Sequence, residues 1–300
     1  MPDYGHPLRF GTFVTPYNAP PLQPVLLAEL SERLGYDLVT IQDHPYQPRF
    51  HDTWTLLSFI AARTERIHLA PNVANIPLRP PAVLARAAVS LDLLSGGRLD
   101  LAVGAGAFWD AIEAMGGRRL EPGESVQALG EAIDVIRNVW SMEPGGAFTD
   151  GAYYRVRGAK RGPAAAHPIP IWVGALKPRM LRLTGTKGDG WLVSLGRVDE
   201  AGLRAGNRII DDAAAAAGRE PASVVRLLNV GVRFRDGADG SLGGSMRDRV
   251  DQLLPLVLQD GFSVFIVDAD DPPELERFAH EVIPTLREAV ALERGTVGGS

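Results

Sequence analysis

Short apolar and β-branched runs begin near residues 9, 38, 67 and 99, so the chain restarts a strand about every 30 residues, the length of one strand–helix unit with its loops. Between these runs (9–14, 38–42, 67–71 and 99–103) lie segments with apolar residues at helical spacing. They cover 24–34, closed by Gly35; 53–62, with Leu56, Leu57, Ile60 and Ala61 on one face; 81–95, opened by Pro81 and closed by Gly96-Gly97; and 123–140. Parallel neighbours cannot be joined by a tight hairpin and need a crossover, so this alternation predicts an α/β fold with a parallel sheet under helices. The second half continues it less regularly, with strands expected at 170–173, 191–194, 226–232 and 264–268 and helices at 179–184, 198–217, 246–259 and 273–292.

Eight strands and eight helices in 300 residues match a (β/α)8 TIM barrel, which takes about 250 residues plus insertions. The surplus falls at 143–167, where 147–156 reads as a hairpin, and at 237–244, a glycine-rich loop. No Pro/Ser-rich linker divides the chain, so one domain over 1–300 with two insertions is expected. A doubly wound sheet would need a glycine fingerprint after its first strand. The nearest match, Gly104-Ala105-Gly106-Ala107-Phe108-Trp109, follows the fourth strand and has Trp in place of the third Gly.

Composition removes several function classes. Lys and Arg number 31 against 36 Asp and Glu, a net charge of −5, and no basic block is present; nucleic acid and anionic membrane are therefore not expected partners. With no cysteine, disulfides, Cys-ligated metals and thiol nucleophiles are excluded. The first residues lack a basic stretch followed by an apolar run, and no segment approaches the about 20 apolar residues of a membrane span, so a cytoplasmic protein acting on a small molecule is expected.

A TIM-barrel site lies at the C-terminal ends of the strands. Those ends read Thr15-Pro16-Tyr17, Asp43-His44-Pro45, Asn72-Val73-Ala74-Asn75, Gly104 to Trp109, Gly174-Ala175-Leu176-Lys177-Pro178, Ser194-Leu195-Gly196, Arg233-Phe234 and Asp268-Ala269-Asp270-Asp271. His44 is the available acid/base near neutral pH, with Asp43 either fixing its tautomer or capping the next loop. His51 and Asp52 could join His44 around a metal, but Asp52 before Thr53 reads as a helix cap, and the Asp268, Asp270, Asp271 group before Pro272-Pro273 reads the same way; no metal is expected. The turn 174–179 opens a helix and carries Lys177 and Arg179, which suits a cofactor phosphate or is simply a tight turn that needs Gly.

Several ordered motifs carry a resemblance. Leu78-Arg79-Pro80-Pro81-Ala82-Val83-Leu84-Ala85-Arg86, Leu91-Asp92-Leu93-Leu94-Ser95-Gly96-Gly97-Arg98-Leu99, Gly104-Ala105-Gly106, Ile169-Pro170-Ile171-Trp172-Val173-Gly174-Ala175 and Gly188-Asp189-Gly190-Trp191 occur in register. From about Phe10 to Arg287 the chain resembles the luciferase-like monooxygenase superfamily of flavin and deazaflavin enzymes. The resemblance implies a (β/α)8 barrel, commonly a homodimer, that uses coenzyme F420 or reduced FMN. It places Asp43 and His44 beside the redox ring, with Asn72, Val73, Ala74 and Asn75 forming a bulge with a non-prolyl cis peptide behind it. Gly174, Ala175 and Gly190, with the flanking Val173 and Leu176, match the cofactor phosphate pocket. Gly106, Phe108 and Trp109 line the cofactor or substrate. The family's deazaflavin sugar-phosphate dehydrogenases carry a Glu after the fourth-strand Gly-x-Gly, where this chain has Ala107, which argues against a sugar phosphate substrate. The expectation is an F420-dependent oxidoreductase that moves a hydride, with His44 handling the proton. The alternatives are an FMN-dependent monooxygenase on the same fold, a metal-dependent barrel hydrolase built on His44, His51 and the Asp268 group, and a non-enzymatic binding protein.

Overall fold

The computed structural model describes residues 3–231, 242–268 and 270–297. The expected strand end at Arg233-Phe234, most of the loop 237–244 and Ala269 lie outside the described residues. In chain order the first half contains β1 (Arg9–Val14), α1 (Gln23–Arg33), β2 (Leu38–Ile41), α2 (Thr53–Ala61), β3 (His68–Pro71), β4 (Ala74–Asn75), α3 (Pro81–Ser95), β5 (Leu101–Gly104), α4 (Trp109–Ala114) and α5 (Pro122–Trp140). The second half contains β6 (Gly146–Asp150), β7 (Arg155–Lys160), β8 (Ile171–Gly174), α6 (Pro178–Lys187), β9 (Gly190–Ser194), α7 (Glu200–Ala216), β10 (Val225–Gly231), α8 (Met246–Leu258), β11 (Phe262–Asp268), α9 (Pro272–Arg277) and α10 (Ile283–Val297).

Nine strands form one parallel sheet in the order β3-β2-β1-β11-β10-β9-β8-β5-β4. A parallel bridge between Leu69 and Leu99 brings β3 beside the approach to β5, so the sheet curls into a nearly closed barrel. Both faces of these strands are covered, which is why β2, β5 and most of β9 are buried end to end rather than alternating with polar residues. The short β6–β7 pair is an antiparallel hairpin between α5 and β8; it extends four residues beyond the expected 147–156, to Lys160. Two differences from the sequence reading are local. A short helix, α4, follows β5 at the rim, and the expected helix 273–292 is split by a π-helical turn at Phe278–Val282.

Side chains alternate between two cores. Outward residues such as Val39, Val103, Val173 and Phe265 pack under the helices, while Leu38, Ala70, Ala102, Trp172, Leu192, Leu227, Val264 and Ile266 fill the barrel. Trp172 dominates that interior, and Gly190 makes room for it: a Cβ on Gly190 would stand 2.5 Å from Trp172 Cδ1 and 2.7 Å from Leu227 Cδ1. Gly190 therefore serves packing at the barrel axis.

The Leu91 to Leu99 motif has an equally physical role. Gly96 takes φ +75° and ends α3 in the left-handed region, where a Cβ would be strained. The fully buried Asp92 then accepts hydrogen bonds from the Ala166 and His167 backbone N–H groups and lies 2.7 Å from His167 Nδ1, pinning the segment that returns from the hairpin to β8.

Gly190→Ala is expected to lower the free energy of unfolding by about 1–3 kcal/mol through overpacking, read as a fall in urea midpoint. Adding Trp172→Phe should recover part of that loss.

Candidate active site

A cavity of about 890 Å³ opens at the C-terminal ends of the strands. Of the residues singled out from sequence, Asp43, His44, Asn72, Val73, Ala74, Asn75, Gly106, Phe108, Trp109, Gly174, Ala175 and Leu176 line it. Val173 and Gly190 do not. The strand alternation turns Val173 outward to the helical layer and Gly190 inward against Trp172. The motif around Gly190 acts one step removed: Trp191 Nε1 donates to the Ala175 carbonyl at 2.9 Å, and the Asp189 carboxylate accepts from the Ile171 N–H at 2.9 Å and pairs with Arg137 of α5. These contacts hold both ends of β8 and the turn that follows it.

The floor is built around a bulge. The Asn72–Val73 peptide is cis, and the Val73 side chain lies between the ends of β5 and β8. A Cβ on Gly104 would sit 2.5 Å from Val73 Cγ2, and one on Gly174 would sit 3.3 Å from Val73 Cγ1. Gly104 is thus required by a neighbour's bulk, Gly174 stands in tight contact with the same side chain, and Gly106 takes φ +91°, in the left-handed region where a Cβ would be strained. Beneath the bulge runs a polar chain that the sequence reading did not assemble: Asn72 Nδ2 donates to Asn229 Oδ1 at 2.8 Å and to Thr40 Oγ1 at 3.2 Å, and Asn229 Nδ2 donates to Ser194 Oγ at 3.1 Å. The available signal was an Asn inside the otherwise apolar run Leu227-Leu228-Asn229-Val230.

Asp43 and His44 divide their duties. Asp43 is 1% exposed, and both its oxygens are taken: Oδ2 accepts from the Asn75 N–H at 2.9 Å and Arg79 Nε at 3.1 Å, and Oδ1 from Arg79 Nη2 at 2.7 Å. Arg79 also reaches Asp52, which caps α2 by accepting the Thr55 N–H at 3.0 Å. Burial opposes the charge on Arg79, but hydrogen bonds and attraction from Asp43 and then Asp52 outweigh it and raise its pKa. His44, by contrast, makes no side-chain hydrogen bond among the described residues. Burial holds its imidazole below the usual value, with the Asp43 charge working against that shift, so it is neutral at pH 7. Its ring stacks on Tyr46 at 5.4 Å and 18°, and Phe108 meets both rings edge-on at 5.5 and 6.1 Å. The Tyr46 hydroxyl is pushed up to about 12 by burial and by Asp43, so it stays protonated.

The opposite side of the cavity is cationic. Lys177, Arg179 and Arg182 come from the start of α6, and Arg197 from the loop after β9. None of the four forms an ion pair among the described residues, so their field is open to an anionic ligand. Arg182 and Arg197 escaped the sequence reading because only the helical turn and the loop path bring them to the rim.

The metal alternative does not assemble here. His51 donates from Nε2 to the Pro21 carbonyl at 2.9 Å, and Asp52 is held by Thr55 and Arg79. Asp270 accepts the Thr15 N–H at 2.9 Å at the end of β1, instead of capping α9. No group of three or more His, Asp or Glu among the described residues could hold a metal ion.

The C-terminal mouth of this parallel barrel thus carries a histidine and a bulged floor at one side and, at the other, cations without ion-pair partners among the described residues. Residues 8–239 match the family model of luciferase-like monooxygenases, and the chain belongs to that family. A relative, the F420-dependent glucose-6-phosphate dehydrogenase of Microbacterium testaceum, is 30% identical over 285 residues, 92% of this chain and 81% of the relative. Among solved structures, an F420-dependent secondary alcohol dehydrogenase in complex with an F420-acetone adduct superposes with a TM-score of 0.83 at 16% identity, over 94% of this chain and 99% of that one. A long-chain alkane monooxygenase gives 0.81 at 15% identity, over 95% and 92%. At these identities the two structures share the fold with this chain.

Replacing Arg79 by Met should remove the neutralising partner of Asp43, expose His44 to an uncompensated negative charge and raise the imidazole pKa, measured from the pH dependence of its ring proton shifts by NMR. The same variant is expected to lose about 3 kcal/mol of stability, the cost of leaving one partner of a buried pair alone.

Proposed function

We propose that the protein is a coenzyme F420-dependent oxidoreductase that moves a hydride between the deazaflavin ring and a small organic substrate. The observation that carries this reading is the two-sided cavity: beside the Val73 bulge on one side a neutral His44, and on the other Lys177, Arg179, Arg182 and Arg197, all five side chains without hydrogen-bonded or ion-pair partners among the described residues. The F420-dependent relative over 92% of the chain supports the deazaflavin over FMN.

The residues fit such a group. Gly104 and Gly174 keep the floor over Val73 free of side chains, the volume accommodates a flavin-sized ring and tail, and the cations match a phosphate-bearing tail. When bound, a deazaflavin supplies two-electron hydride chemistry, because carbon in place of the flavin ring nitrogen removes easy one-electron and oxygen reactions. The bulge of Asn72, Val73, Ala74 and Asn75 would hold the ring. His44, neutral at pH 7, accepts the substrate hydroxyl proton in the oxidising direction and returns it in the other. Asp43 and Arg79 keep His44 in place without bonding to it. By the family resemblance, Ala107-Phe108-Trp109 stand where the sugar-phosphate dehydrogenases carry their Glu, so that substrate class is not proposed. We extend the proposal to a cytoplasmic homodimer: Leu22 and Leu26 at the start of α1 and Phe59 of the neighbouring α2 are exposed apolar groups suited to meeting a second copy, and light scattering of the purified protein tests it. No helix among the described residues is long and apolar enough to cross a membrane.

Parallel fluorescence titrations with F420 and FMN test the cofactor: F420 should bind and FMN should not, and tight FMN binding without F420 binding overturns the assignment. The double variant Arg179→Ala, Arg182→Ala should weaken F420 binding and flatten its salt dependence. His44→Ala should cut turnover by roughly 10²–10⁴-fold, the usual scale for a lost acid/base group, with cofactor affinity kept. Since the His44 pKa is lowered, the rate of oxidation should be level through neutral pH and fall only below the ordinary imidazole value of about 6.5.

A further inference from the structure

The wall of the cavity that follows β5 is attached to the barrel unlike the others. No hydrogen bond or ion pair joins residues 107–119 to the rest of the described molecule. The Ile112, Met115, Gly116 and Gly117 N–H groups donate to carbonyls inside the segment, and Arg119 pairs with Asp110 and Glu113 of the same α4. α4 shares no broad face with another helix or strand. The segment is thus tied to itself and rests on the barrel through side-chain contacts alone. One of these is buried: Ile112, 0% exposed, sits in a cup. Its Cδ1 would stand 3.1 Å from a Cβ on Gly106 and its Cγ2 2.5 Å from one on Gly117, with Pro77 and Leu78 closing the same space. At the outer edge Phe108, 56% exposed, meets His44 and Tyr46 edge-on across the mouth, and Arg118 lies over the Tyr153 ring at 5.6 Å. Each end of the segment carries a left-handed glycine, Gly106 at φ +91° and Gly116 at φ +85°. A Cβ on Gly116 would meet nothing within 4 Å, so its surroundings leave the backbone free to turn.

We propose that residues 107–117 form a gate over the cavity, hinged at Gly106 and Gly116, with Ile112 as its latch. When Ile112 leaves its cup, Phe108 and Trp109, which both line the cavity, lift away together and open the mouth between the ends of β2 and β5. No hydrogen bond to the barrel has to break, and Arg119 keeps the moving part in one piece. Opening therefore costs little more than exposing one aliphatic side chain, far less than unfolding the barrel. Closing shuts water out of the cavity. Ile112 does not line the cavity; it is a positioning residue that acts through Phe108 and Trp109. The gate serves any ligand of this cavity and does not depend on the deazaflavin reading.

Hydrogen exchange on the full chain without ligand tests the latch. Amides of 112–117 should exchange at least roughly tenfold faster than those of 132–136 in α5, because they open locally. Ile112→Ala should speed the gate amides by a further factor of about 30, the scale of a truncated buried isoleucine, and leave the rest of the chain unchanged. Ile112→Val, a milder change that puts the fold at little risk, should speed them about fivefold. Stopped-flow fluorescence with F420 then tests the gate. Association and dissociation should both quicken in Ile112→Ala, so that Kd moves less than either rate; a side chain that only shaped the wall would change dissociation alone. Gate amides as protected as those of α5, faster exchange throughout the chain in both variants, or an unchanged association rate overturns the proposal. Failure of F420 to bind overturns the cofactor assignment instead, and exchange on the free protein still decides the gate.

Discussion

The pairing of Asp43 with Arg79 is the constraint around which the mouth of the barrel is organised. A buried carboxylate is tolerated only when it is paired and its lone pairs are satisfied. Arg79 meets that demand with a two-pronged contact, and its remaining reach to Asp52 ties the pair to the start of α2. The Asn75 N–H completes the set. One ion pair thus joins the end of β2, the strand after the bulge and the cap of a helix. Its chemical effect is indirect: with the negative charge spoken for, His44 is left to burial, which favours the neutral imidazole that an acceptor of protons needs.

The same cavity separates its electrostatics by strand position. Polar atoms under the floor, from Thr40 through Asn72 and Asn229 to Ser194, satisfy one another and hold the bulge without adding net charge. Positive charge is confined to segments following β8 and β9. A ligand with one flat apolar part and one anionic part would be oriented by this arrangement alone, before any specific hydrogen bond forms.

Much of this was legible in the residues. The strand period and the helix stops at Gly35 and Gly96 follow from backbone chemistry, and reading the strand ends in order led to His44 and the glycine turns, while the bulge came from the family resemblance. What failed did so for a definable reason. Val173 and Gly190 were chosen for lying in a motif, but a strand sends neighbours to opposite faces, and these two turned to the helices and to the barrel axis. Arg182 and Arg197 depend on helix rotation and loop path, which no local pattern encodes. Asp270 was read with its neighbours as a cap but is a tie to β1, and Asp271, at the N-cap position of α9, makes no side-chain cap bond.

Val73 occupies the space that side chains at Gly104 and Gly174 would need. These three positions come from separate strand ends, yet they form one steric unit. Their tolerance to substitution must therefore be correlated: an alanine at Gly104 that is harmful beside valine would become acceptable beside a smaller residue at position 73. Directed evolution of this floor would have to pass through position 73 first, and single-site libraries would report Gly104 as immutable for as long as valine stands beside it.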